Sequence, residues 1–254
     1  KLQAQGFYQF TYFQDLEELT SLISDQVAAV FVETPTNPLM QEIDLAAVAQ
    51  LCQHHQTLLI VDNTFLTPLR QRPLELGADL VIHSGTKYLT GHNDILAGVV
   101  VAKDASLGEQ LVWLSNTTGP TLSPFDCWLF IRSLKTLSLR LDRQEANAQA
   151  LAQALSQHPQ IKEVLYPGRG AMMSIKIQDA NKVDSFLRAL KVFTFAESLG
   201  GVESFITYPT TQTHADIPQD IRESYGLTAD LLRVSVGIED PQDLIADIIQ
   251  ALNA

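Results

Sequence analysis

A chain of 254 residues, 46% hydrophobic and 18% charged, has the composition of a globular protein and room for one large domain or two ordinary ones. Its net charge of −12 counts against nucleic acid and an anionic membrane surface as partners, because phosphate-dominated binding needs a basic face. No apolar run is long enough to cross a bilayer, and Cys52 and Cys127 lack a metal-ligand spacing, so they are expected to be buried, reduced thiols of a cytoplasmic protein with no metal site.

The opening segment, KLQAQGFYQFTYF, has no initiating methionine and fits an aromatic-rich strand already in progress, as in a chain whose N-terminal part is missing. Residues 28–33 (AAVFVE), 57–62 (TLLIVD), 79–83 (DLVIH) and 97–102 (AGVVVA) are continuous apolar runs rich in β-branched residues. Strands buried on both faces read this way, and they predict a largely parallel sheet. Between the first two, DLAAVAQLCQHH starts at a plausible N-cap, Asp44, and puts Leu45, Val48, Leu51 and Cys52 on one helical face. The β–α–β alternation predicts a doubly wound α/β domain. From Ser123 the pattern becomes helical through residue 158, with no proline or glycine after Pro124, and this long segment is expected to tie one domain to the next. IKEVLYPG, AMMSIKI, VDSFLRALK, FTFAESLGG, LLRVSVGI and the amphipathic PQDLIADIIQAL then mix strands and helices, which predicts a smaller α+β domain. The division is placed at residues 1–133 and 134–254.

Polar residues collect just past the C-terminal ends of the first three strands, where ligands bind in open α/β sheets. They are ETPTNP (33–38), DNT (62–64) and SGTKY (84–88), which would offer Asn37, Asp62, Ser84, Thr86 and Lys87 to one crevice. Taken singly each has an ordinary reading. Asp62 suits a turn cap, Asn37 turn chemistry, Ser84 and Thr86 a helix N-terminus, and Lys87 an exposed charge. GTKY lacks the G-x-x-x-x-G-K spacing of a phosphate loop. Taken together they make different demands. A partly desolvated lysine can form a Schiff base with a carbonyl group, hydroxyls beside backbone N–H groups suit a phosphate, and an aspartate suits a protonated pyridine nitrogen. Those demands describe pyridoxal 5′-phosphate.

The motifs VFVETPTNP, IVDNTF, GADLVIHSGTKYLTGHNDILAG, FAESLGGVES and LLRVSVGIED resemble, in order and over nearly the whole chain, those of the Cys/Met-metabolism family of pyridoxal-phosphate enzymes. This family comprises the cystathionine synthases and lyases, of the aspartate aminotransferase type of α/β fold (fold type I). The resemblance implies that Lys87 holds the cofactor covalently and then shuttles protons on the substrate. It pairs Asp62 with the pyridine nitrogen and Asn37 with the phenolic oxygen, gives the phosphate to Ser84 and Thr86, and puts Thr64 close to the ring. It makes Arg233, aided by Ser198, the grip on the substrate carboxylate, and Glu203 the partner of a distal amino group. His92 and Asp94 fit the motif and receive no chemical role.

Two departures from the family pattern stand out. The family's N-terminal region, with its stacking tyrosine, its glycine-led phosphate loop and the tyrosine and arginine that reach a neighbouring subunit, is not represented. LYPGRGAMMS (165–174) is shorter than the histidine-bearing loop of many members. The short form resembles a bacterial subgroup of cystathionine γ-synthases and O-acylhomoserine thiol-lyases, which implies γ-replacement of an O-acylated homoserine by cysteine or sulfide. A cystathionine γ- or β-lyase, releasing an α-keto acid and ammonia, shares the same lysine, aspartate and arginine. A non-catalytic truncated relative is the alternative of another class, and a cofactor-free Schiff-base aldolase explains Lys87 alone. The resemblance further implies amino-acid substrates and a homotetramer built from dimers.

Overall fold

The computed structural model describes residues 3–254. Its first half is built from α1 (Leu16–Leu22), β1 (Ala29–Glu33), α2 (Leu45–His54), β2 (Leu58–Asp62), the single turn α3 (Thr67–Arg70), β3 (Leu80–Ser84) and β4 (Gly98–Ala102). The strands form one sheet in the order β1-β2-β3-β4, with β1, β2 and β3 parallel. Strand β4 returns antiparallel beside β3. The apolar runs therefore become adjacent strands, as the residue pattern predicts, and Asp44 caps α2 by accepting from the N–H groups of Ala46 and Ala47. Helices α1 and α2 cover one face, closing a core of Leu19, Val30, Val32, Val48, Cys52, Leu59, Val61 and Val81.

The segment expected to be one long helix is two, α5 (Pro124–Leu134) and α6 (Leu137–Leu155), preceded by α4 (Ala105–Thr118). At the break, Lys135 and Thr136, the Arg140 guanidinium turns back from α6 and donates to the Ser133 carbonyl (3.1 Å) and to Thr136 Oγ1 (3.2 Å). A second difference concerns Cys127. Cys52 is buried, but Cys127 is exposed, because it lies on a face of α5 that also leaves Phe125, Trp128 and Ile131 bare. Residues 7–13 form no strand. A strand needs a ladder partner, and Phe7, Tyr8, Phe10 and Tyr12 stand exposed without one; the segment's first two residues lie outside the described residues.

The second half contains β5 (Ile161–Leu165), β6 (Met172–Ile177), α7 (Val183–Ala189), β7 (Thr194–Phe195), β8 (Phe205–Thr207), α8 (Gln219–Ser224), β9 (Leu231–Ser235) and α9 (Pro241–Leu252). Its sheet runs β5-β6-β9-β8-β7 and is antiparallel except for the β7–β8 pair. Every residue of central β9 is buried. Helices α6, α7 and α9 pack on the sheet through Leu151, Leu155, Phe186, Leu244 and Ile248. No helix among the described residues is long and apolar enough to cross a membrane.

Candidate active site

Parallel pairing fixes the first part of the site. Glu33 and Asp62 are register partners at the ends of β1 and β2, so side-chain alternation puts both carboxyl groups on one face. Asp62 Oδ1 accepts from the Thr64 N–H at 2.9 Å, and Thr64 Oγ1 in turn accepts from the Ser84 N–H at 2.8 Å. The turn-capping and site readings of Asp62 are thus compatible, since its other oxygen has no partner among the described residues. Burial first, then Asp62 beside it, pushes the Glu33 pKa up to about 7, although the residue keeps open surface.

Lys87 sits in the wide turn Gly85–Leu89 that follows β3, with a non-helical backbone (φ −94°, ψ −130°) that breaks the turn at the lysine. It is half-buried and makes no ion pair among the described residues. Desolvation, and after it the positive charge of Arg233, lower its pKa, while Glu197 pulls the other way. An amine that gives up its proton more readily than an ordinary lysine is the form required for attack on a carbonyl. Gly200 presses against this turn. With φ +79°, it lies where a Cβ would come within 2.7 Å of the Tyr88 nitrogen and 3.0 Å of the Lys87 carbonyl carbon. Only glycine permits both that backbone and that approach.

The second sheet supplies the opposite wall. Arg233, on β9, is almost completely buried and donates to Asn37 Oδ1 (3.1 Å), the Glu197 carbonyl (2.9 Å) and Thr207 Oγ1 (2.9 Å). Burial brings its pKa down to about 10. Its Nε is a buried donor without an acceptor among the described residues, and a group in that condition calls for a ligand or water. Ser174, on β6, donates to the Pro38 carbonyl at 2.6 Å, so the loop bearing Asn37 is fastened to the second sheet at two points.

The structure brings Asn37, Asp62, Thr64, Ser84 and Lys87 together at the strand ends, and joins Arg233 to them through Asn37. The side chains of Ser198 and Glu203 do not bond Arg233 but share one residue. The Ser198 hydroxyl donates to Asn93 Oδ1 (2.9 Å), and Asn93 Nδ2 donates to Glu203 (3.1 Å). The Ser198 carbonyl, rather than its hydroxyl, meets Arg233, at 3.4 Å. Thr86 is engaged elsewhere. Its hydroxyl donates to the Ala97 carbonyl (3.3 Å) and accepts from the Ala97 N–H (3.0 Å), and its own N–H donates to the same carbonyl (3.2 Å), so both of its donors are already spent on Ala97. Ser84 opens the turn without spending its hydroxyl on a cap. Asn93, Thr207 and Ser174 escaped the reading of the sequence. Asn93 lay in the GHND segment quoted for its resemblance, whereas Thr207 and Ser174 carry no local signal, because their partners are far away in the chain.

This donor set fits pyridoxal phosphate. A depressed-pKa lysine, an aspartate with one oxygen uncommitted, an uncommitted serine hydroxyl at the start of a turn and a buried guanidinium N–H in want of an acceptor meet in one crevice. The family model described as Cys/Met metabolism PLP-dependent enzyme matches residues 3–253. The chain is 57% identical, over 96% of its length, to a Bacillus subtilis protein named cystathionine gamma-synthase/O-acetylhomoserine (thiol)-lyase, and 55% identical, over 92%, to the cystathionine gamma-synthase of Haemophilus influenzae. It spans 66% and 63% of those two relatives. The solved cystathionine gamma-lyase of Lactobacillus plantarum, complexed with L-serine, superposes with a TM-score of 0.95 at 38% identity, covering 99% of this chain and 71% of that one.

Proposed function

Because the chain belongs to the Cys/Met-metabolism family of pyridoxal-phosphate-dependent enzymes, with that family's α/β fold, we propose that it carries out γ-replacement on an O-acylated homoserine. The Cγ–O bond breaks, the acyl group leaves as a carboxylate, and the thiolate of cysteine forms the new C–S bond of cystathionine; sulfide can stand in for cysteine. The observation that carries this reading is the high identity to two relatives named for that synthesis, over nearly all of this chain.

Bound pyridoxal phosphate supplies the electron sink. Lys87 would hold it covalently and, as a free amine, would take the proton from Cα and then serve Cβ. A single amine within general-base reach of both carbons suffices, and its lowered pKa makes the unprotonated form easier to reach than in an ordinary lysine. Asp62 keeps the ring nitrogen protonated, with Thr64 fixing the aspartate. Asn37 meets the phenolic oxygen, while Ser84 receives the phosphate. Arg233, aided by Ser198, grips the substrate carboxylate through its uncommitted Nε, and Glu203 faces a distal amino group. The division at residues 133 and 134, a cytoplasmic location and a homotetramer of dimers belong to the same proposal. The bare apolar faces of α4 and α5, with Trp113, Phe125 and Trp128, support further protein cover over that side.

The lyase outcome is kept as a second reading because of the close superposition on a cystathionine lyase. Two measurements separate the possibilities. A yellow absorbance band with pyridoxal phosphate that borohydride fixes onto Lys87 is expected, both in this chain extended at its N-terminus and, more weakly, in the chain alone; no band in either, or label on another lysine, refutes the enzyme reading. Product analysis then decides the reaction. Cystathionine from O-acetyl- or O-succinylhomoserine plus cysteine supports the synthase, and α-keto acid with ammonia from cystathionine supports the lyase.

A further inference from the structure

Arg140 is a buried arginine with no carboxylate partner among the described residues. All its acceptors are uncharged oxygens. Nη1 donates to the Tyr88 carbonyl (2.9 Å), Nη2 to the carbonyls of Leu89 (3.3 Å) and Ser133 (3.1 Å), and Nε to Thr136 Oγ1 (3.2 Å). Desolvation lowers its pKa. Its position in the first turn of α6 adds a second cost, because a cation is disfavoured at a helix N-terminus. Packing alone does not call for such a residue, since a leucine on the same face as Leu137 and Leu141 would fill the core without either penalty.

What the guanidinium touches explains its presence. Lys87's backbone breaks the turn that carries it; the N–H groups of Thr90 and Gly91 that follow reach the Gly85 and Lys87 carbonyls, and no backbone N–H beyond the turn among the described residues reaches those of Tyr88 and Leu89. The carbonyls of Tyr88 and Leu89 would otherwise be buried without partners. Arg140 satisfies both and spans to the last turn of α5 through Ser133. It therefore lies between two carbonyl-rich, negative dipole ends, which makes an unpaired charge tolerable there. Gly91 completes the arrangement. With φ +72°, it lies where a Cβ would come within 2.0 Å of Nη1, so the guanidinium occupies the space a side chain would need.

We infer that Arg140 is a positioning residue that holds the Lys87 turn in the orientation from which its amine reaches the cofactor carbonyl. The inference rests on the proposed covalent role of Lys87. The planar fork is the functional element, because it bonds three carbonyls from two segments at once; an ammonium carries the same charge without that geometry.

The test compares the unsubstituted protein at its natural full length with Arg140→Gln, Arg140→Lys and Lys87→Ala. Each is mixed with pyridoxal 5′-phosphate, quenched at intervals with borohydride and mapped by mass, with melting temperatures recorded in parallel. The expected result is that Arg140→Gln slows labelling of Lys87 on the order of a hundredfold, as small misplacement of a reacting group does, while labelling of surface lysines is unchanged. Arg140→Lys should behave like Arg140→Gln. Labelling of Lys87 in folded Arg140→Gln at the unsubstituted rate overturns the inference, as does full recovery in Arg140→Lys, which would make charge alone sufficient. If Arg140→Gln does not fold, Thr136→Val, which removes only the Nε acceptor, decides: slowed labelling at an unchanged melting temperature supports the inference and an unchanged rate overturns it. Absence of label on Lys87 in the unsubstituted protein refutes the reading underneath, and the inference with it, and is told apart by the Lys87→Ala control.

Discussion

The two sheets divide the work differently. The second is wrapped by α6, α7 and α9 around a fully buried central strand, whereas the first has one covered face and leaves Phe31, Leu58 and Val100 substantially exposed on the other. Yet the first holds Asp62, Ser84 and Lys87, each just past the end of a strand. Apolar burial of this kind stabilises by about 25 cal/mol per Å², so rigidity is concentrated in the half with less of the chemistry. Arg233 and Ser174 are where the well-packed half reaches across, one to Asn37 and the other to Pro38. The difference teaches that the cofactor groups stand on short strand ends, with the better-packed sheet as their brace.

The largest test of that division is Lys87→Ala. Loss of general-base and covalent roles should cut turnover by on the order of a thousandfold, with no loss of stability. Stability should in fact rise. The folded-state pKa of Lys87 lies below that of an unfolded lysine, so the unfolded chain holds more protons between the two values, and the unsubstituted protein gains stability as pH rises through that window. The advantage of Lys87→Ala in thermal melts should accordingly be greatest below the folded-state pKa and shrink toward the ordinary lysine range. A lower melting temperature at neutral pH would break the comparison, by making the lysine part of the scaffold.

Arg233→Met should damage both halves at once. It removes charge-assisted bonds to Asn37, Thr207 and the Glu197 carbonyl, at a cost of about 3 kcal/mol in denaturant unfolding, and weakens carboxylate binding by about a hundredfold, read as KM. Ser174→Ala tests the brace alone. It leaves the buried Pro38 carbonyl short of its donor, which should cost about 1–2 kcal/mol and loosen Asn37, with a small rise in the half-saturating cofactor concentration. Equal stability in Ser174→Ala would show that the bond from Ser174 to Pro38 is no part of the brace. Glu33→Gln is the smallest effect. A carboxyl whose folded pKa is about 7, against an ordinary 4.5, weakens the fold increasingly as pH rises from 4.5 to 7 and by a constant amount above that. Glu33→Gln should match the unsubstituted protein in acid and be the more stable of the two at pH 8 in paired melts.

Much of this arrangement was legible in the residues. Four β-branched runs became adjacent strands, although the burial on both faces expected of them is found on one face at most, and the site residues collected because parallel strands end on one side. Direction was less legible, since a run such as GVVVA reads the same whether β4 runs with or against its neighbour. The break between α5 and α6 was invisible locally, as was the reach of Arg140 back to Ser133 and across to a turn far earlier in the chain. A signal for that reach does exist. Arg140, Gln144 and Asn147 occupy the buried face of α6 alongside Leu137, Leu141 and Leu151, and polar residues at core positions are there for their hydrogen bonds. Thr86 shows the opposite limit. Its position in the motif is right, but whether its hydroxyl is available depends on Ala97, which no spacing rule contains.

The antiparallel edge strand β4 has a consequence for the protein in solution. Among the described residues it pairs on one side only, with β3, and it presents Val100 and Val101 to water. An unpaired, apolar ladder of this kind templates edge-to-edge association between copies, held in check by a net charge of −12 through mutual repulsion. Salt shortens the reach of that repulsion to about 3 Å at 1 M. Colloidal stability of the isolated chain should therefore fall with added salt, in the direction opposite to a protein kept apart by hydration alone, and light scattering across a salt series would register it.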